Sequence, residues 1–227
     1  MRTGINTRSR TRSLVLTAVS LAGAAGLVLG AAGQAGAATG GVLTVGSAGG
    51  TSVNTGDTLT GAIDSDFLFT TSSGTIDCSS GAFTAGVTAN PAAGSGNATE
   101  SITQLHADPS SCTSTITGTM GVASVELASA ASGTVVDGSS PTLKVTSLDE
   151  QVTLSSFLGN VTCDYGTTGS VTEIDGSLSN TTNAISFATQ NVNLISGSGL
   201  CPSTGTFSGG VGPVLDSSQS SQATFVN

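Results

Sequence analysis

The chain has 227 residues and a formal net charge of −9, with 8% charged and 4% aromatic side chains. Soluble domains usually carry roughly a quarter charged residues, so here Ser, Thr, Asn and Gly must solvate the surface. Five basic against 14 acidic side chains argue against nucleic-acid binding, whose affinity comes from lysine and arginine neutralising phosphates.

Residues 1–37 read as a signal peptide. Arg2, Arg8, Arg10 and Arg12 precede an apolar run from Leu14 to about Ala32, and Ala35-Gly36-Ala37 forms an A-x-A cleavage site. No two of these arginines are adjacent, which favours general secretion over the twin-arginine route. An uncleaved anchor is the competing reading of the same run. Cleavage after Ala37 leaves Lys144 as the one basic side chain against all 14 carboxylates, a formal net charge of −13. Such a chain repels anionic polymers and anionic membranes and favours cations and basic partners. The expected location is extracellular, free or loosely associated with the cell wall, with no membrane contact after cleavage.

Beyond residue 40 the periodicity is that of strands. Asp66–Thr71 alternates with Phe67 and Phe69 inward, Ala82–Ala89 with Phe83, Ala85 and Val87, and Thr142–Thr146 with Leu143 and Val145. Gln151–Ser156 turns Val152 and Leu154 inward, and Asn183–Gln190 places Ile185 and Phe187 on one face. Turn signals fall between them at Gly49-Gly50, Asn54-Thr55-Gly56, Asn90-Pro91, Gly94-Ser95-Gly96, Asp137-Gly138, Asp175-Gly176 and Gly209-Gly210. Short strands punctuated this way predict an all-β protein, an antiparallel sandwich or barrel. Ser217–Gln222 is expected to be the least ordered part.

Cys78, Cys112, Cys163 and Cys201 form an even set in an exported chain, which reads as two disulfides. A metal reading would need a C-x-x-C pair or nearby histidines, and the chain has one His. An internal repeat selects the pairing. Residues 63–78 align without a gap on residues 148–163 at an offset of 85, matching Asp64 to Asp149, Gly74 to Gly159 and Cys78 to Cys163. Cys112-Thr-Ser-Thr-Ile-Thr likewise resembles Cys201-Pro-Ser-Thr-Gly-Thr. Two pseudo-repeats, about 41–125 and 126–227, are therefore expected within one domain over 38–227, each closed by its own bridge: Cys78–Cys112 and Cys163–Cys201. The seam is placed in the small-residue stretch Ala128–Gly133.

Candidate sites are few, and no catalytic, cofactor or metal residue is assigned. Asp64 and Asp66, with Asp149 and Glu150 at the related place, have the oxygen chemistry of calcium but not the spacing of a calcium loop, so solvated strand-edge carboxylates are the plainer reading. His106 is expected in a loop beside Pro109, and no G-x-S-x-G elbow accompanies it. Glu173 and Asp175 share a strand face, as an acid and nucleophile pair would, but the chain has one Tyr and no Trp to stack a sugar.

The leader with its spaced arginines, the stretch Ala38-Thr39-Gly40-Gly41-Val42-Leu43, Thr88-Ala89-Asn90-Pro91, Ala98-Thr99-Glu100-Ser101-Ile102, Ser111-Cys112-Thr113 and Leu200-Cys201-Pro202 resemble secreted β-rich proteins of actinobacteria that are labelled mainly by their export signal. The resemblance implies a β-rich exported protein and carries over no ligand or catalytic residue. A fainter likeness, in acidity, four cysteines and the Phe225-Val226-Asn227 ending, is to the neocarzinostatin-type apoproteins. The expected role is a non-enzymatic structural or adhesive protein of the cell surface, with a cell-wall or protein partner. The alternative is a carrier whose cleft takes a small apolar ligand, lined by Phe67, Phe69, Phe83, Phe157 and Phe187.

Overall fold

The computed structural model describes residues 40–227, so the stretch read as a signal peptide, residues 1–37, lies outside the described residues. In chain order the strands are β1 Leu43–Val45, β2 Thr51–Ser52, β3 Thr58–Thr71, β4 Gly74–Cys78, β5 Gly81–Ala89, β6 Ala98–Ala107, β7 Cys112–Ser114, β8 Thr119–Leu127 and β9 Ala131–Val136. They continue as β10 Thr142–Thr146, β11 Asp149–Ser156, β12 Val161–Gly166, β13 Ile174–Ser179, β14 Ala184–Gly197, β15 Thr204–Val211, β16 Leu215–Asp216 and β17 Gln222–Val226.

Every pairing is antiparallel, and the sheet closes on itself: β3 pairs β5, then β6, β9, β10, β13, β14 and β15 follow in turn, and β15 returns to β3. Closure leaves free edges only on short strands outside the ring, such as β2 and β7. The alternation read from the sequence supplies the interior. Phe83, Ala85 and Val87 on β5, Leu143 and Val145 on β10, and Val152 and Leu154 on β11 are all buried.

The two halves are related and interlocked. Phe69 lies opposite Ile76 in the β3–β4 hairpin, and Leu154 opposite Val161 in the β11–β12 hairpin, both residues shifted by 85. Each hairpin then pairs with a strand of the other half: Phe69 faces Phe207 on β15, and Leu154 faces Val122 on β8, again the same positions shifted by 85. The disulfides are Cys78–Cys112 and Cys163–Cys201, one in each half. They are built differently. Cys78 and Cys112 face each other across β4 and β7, whereas the strand partner of Cys163 is Gly197 and its bridge goes to Cys201 in the following loop. A Cβ at Gly197 would lie 2.7 Å from the Cys201 sulfur, so the bridge fills the space of the missing side chain.

Two turn signals fall inside strands instead. Asp175-Gly176 belongs to β13 and Gly209-Gly210 to β15. At Gly176 the reason is packing, because a Cβ there would stand 2.9 Å from the Phe187 ring. The proposed seam is partly strand, since β9 begins at Ala131, which is buried. Ser217–Gln222 is also ordered. Its 3-10 turn is capped by the buried Asp216, which accepts from the backbone N–H groups of Ser218 and Gln219.

Candidate functional site

The repeated hairpins end in tips of the same construction. In one, the Thr71 hydroxyl donates to the Gly74 carbonyl and accepts from the Ser73 N–H; in the other, the Ser156 hydroxyl donates to the Gly159 carbonyl and accepts from the Leu158 N–H. Such hydroxyl-to-backbone turns are a common use of Ser and Thr. What the tips carry differs. Ser72 and Ser73 cap the first, Phe157 and Leu158 the second, and the latter two are 86% and 99% exposed.

Between the tips opens a cleft of about 710 Å³. Its walls are Phe69 and Ile76 of the first hairpin, Val152, Leu154, Phe157, Leu158 and Val161 of the second, Ile116 from the segment between β7 and β8, and Leu200 and Pro202 beside the second disulfide. No charged side chain lines it. Beneath lies a cavity of about 60 Å³ with nearly wholly apolar walls, and Phe69, Ile76, Val152 and Tyr165 line both spaces. Tyr165 is fixed at their junction by its hydroxyl, which donates to the Pro202 carbonyl at 2.9 Å, and by the Phe69 ring at 4.8 Å. Burial pushes its phenol up to about 12.

Glu150 is the one carboxylate lining the inner cavity. It sits two and four residues before Val152 and Leu154 on β11, hence on the same inward face. The residue as a whole is only partly buried, yet its Oε2 is shielded from solvent and has no hydrogen-bond partner. Burial, with added repulsion from Glu126 and Asp149, pushes the carboxyl well above the ordinary range. A second buried carboxyl, Glu100, lines a separate small cavity of about 40 Å³ together with Thr224, and burial raises it to about 7.

The Phe residues singled out from the sequence divide. Phe69 and Phe157 meet at the cleft, Phe67 lines the inner cavity, Phe83 lines the Glu100 cavity and Phe187 packs in the core. Phe207, which sequence reasoning passed over, stacks on Phe67 at 5.5 Å and meets Phe187 at 5.3 Å. Leu158 and Leu200 were also missed. The readable signal was two large apolar residues at a turn where the other repeat has Ser-Ser.

The acidic groups do not form equivalent clusters. Asp64 and Asp66 are exposed, whereas Glu150 turns to the opposite face from Asp149. Among the described residues no three His, Cys, Asp or Glu side chains gather to hold a metal ion. His106 lies in β6, not in a loop, opposite Glu126, and its Nδ1 is buried without a partner. Glu173 and Asp175 both embrace Lys144, at 2.6 and 3.5 Å, on the surface.

Comparison of the chain with family models, curated proteins and solved structures finds no match. The two disulfides point to an oxidising, extracellular setting, and no helix among the described residues is long and apolar enough to cross a membrane.

Proposed function

We propose that the protein is an exported, non-enzymatic binding protein that takes a small apolar ligand in the cleft between its hairpin tips. One observation carries the reading: an opening of about 710 Å³ with uncharged walls, whose rim presents Phe157 and Leu158 to solvent. Small-molecule sites are concave, mostly apolar and roughly 300–1,000 Å³ in size. Covering each of those side chains with ligand would contribute up to roughly 1.5–3 kcal/mol. The spaced-arginine leader supports export. The pairing of Glu173 and Asp175 with Lys144 supports a structural use of these carboxylates.

A structural or adhesive role at the cell surface is the second reading, and it draws on the same rim, because a projecting Phe-Leu tip also suits attachment to an apolar wall or protein surface. The closed ring leaves only short free edges, on β2 and β7, which weighs against strand-to-strand assembly.

Titration with the neutral fluorophore N-phenyl-1-naphthylamine separates the two. Saturable enhancement at one site per chain is expected, weakened at least tenfold in the double variant Phe157→Ser, Leu158→Ser. Absence of saturable enhancement, with the wild-type protein sedimenting on cell walls, would move the assignment to adhesion.

A further inference from the structure

We infer that the ligand of this cleft is a cationic amphiphile, an amine or ammonium group on an apolar body, whose charged end is received by Glu150. The inference rests on the cleft being the binding site, and it adds the chemistry of the occupant. A carboxyl oxygen enclosed without a hydrogen-bond partner is costly, and proteins seldom retain one unless something completes it. Glu150 Oε2 is such an atom, and its residue lines the apolar cavity that adjoins the cleft. Val152, two residues along the same face, lines both spaces and joins them.

The charges around Glu150 are of one sign. Asp149 precedes it on β11, Glu126 stands on the paired strand β8, and Asp164 on β12 lies close enough to act on Asp149. His106 on β6 is opposite Glu126. Beyond residue 12 the sequence holds a single Lys and no Arg, and Lys144 is engaged by Glu173 and Asp175. A cation other than a proton that completes Glu150 must therefore come from outside the fold. The Phe69 and Tyr165 rings at the junction add faces that attract a cation on its way inward. An anionic amphiphile meets repulsion where its head reaches Glu150 and its acidic neighbours, and a neutral one gains the uncharged walls of the cleft without a charge partner.

Three ligands of equal chain length test this directly: dodecylamine, dodecanol and dodecanoate, measured by displacement of N-phenyl-1-naphthylamine from the protein at pH 7. The expected order is amine tighter than alcohol by at least tenfold, with dodecanoate weakest. In Glu150→Gln the amine should lose that tenfold advantage while dodecanol stays within threefold, and Asp149→Asn should keep most of the preference. Equal binding of amine and alcohol by the wild-type protein overturns the inference, as does a preference that survives in Glu150→Gln. Because the wild-type series needs no variant, the result stands even if Glu150→Gln folds poorly. Failure of all three ligands and of the fluorophore would instead remove the cleft as the binding site.

Discussion

The two hairpin tips are the same turn with different passengers. Both are held by a hydroxyl that spans to a glycine carbonyl, and both follow strands in matching register. One exposes Ser72 and Ser73, the other Phe157 and Leu158. The turn therefore does not require large apolar residues, since its relative is built from serines. Exposed Phe and Leu at a position where Ser suffices are not needed to make the turn, and this contrast supports the proposed binding role. The two bridges differ in a parallel way: Cys78–Cys112 ties two strands, while Cys163–Cys201 holds the loop that brings Leu200 and Pro202 to the cleft.

The largest expected effect comes from breaking that second contrast. Loss of either bridge, by Cys78→Ala with Cys112→Ala or by Cys163→Ala with Cys201→Ala, should lower stability by roughly 3–4 kcal/mol in urea titrations, since each closes a loop of similar length. Ligand affinity should fall further in the Cys163/Cys201 variant. Equal loss of affinity in both would show that the Leu200 loop is not held by its bridge.

A somewhat smaller effect separates the two buried carboxyls. Glu100 is 4% exposed, and burial raises it from 4.5 to about 7. A carboxyl raised in the folded state gives stability that is complete below the unfolded value and is lost as pH climbs through the folded one. Its loss between pH 4.5 and 8 should amount to about 3 kcal/mol. Thermal denaturation across that range should show the wild-type protein most stable in acid, with this part of the slope missing in Glu100→Gln. Addition of the amine ligand should not alter the Glu100 contribution, because Glu100 does not line the cleft or its inner cavity.

The smallest effect is the exchange of tips. Ser72→Phe with Ser73→Leu, and the reverse change at Phe157 and Leu158, should each shift stability by no more than about 0.5 kcal/mol. A destabilisation well beyond that in the Phe157 and Leu158 variant would give those side chains a structural role after all.

Much of this was legible in the sequence, and the failures have physical causes. The strands around Phe67, Phe83, Leu143, Val152 and Ile185 announced themselves by alternation, and the offset of 85 gave both cysteine pairs. Gly176 and Gly210 misled because a glycine that makes room inside a sheet looks in sequence like a glycine that turns the chain. His106 was read as loop because β6 runs to Ala107, directly before the Asp108 cap. Glu150 was grouped with its acidic neighbour although its phase with Val152 and Leu154 already placed it inward. The cleft itself was illegible, since it depends on two hairpins that lie far apart in the chain.

Leu43 pairs with Val226, so β1 is zipped to β17 outside the closed ring, and each repeat lends a hairpin to the other. Neither repeat holds a finished seam of its own, and a fragment stopped near the middle would expose half of its pairing surface. The ring closes where β15, from the second repeat, meets β3, from the first, so it is complete only when both repeats are in place. A molecule cut between its repeats is thereby left unstitched rather than merely halved.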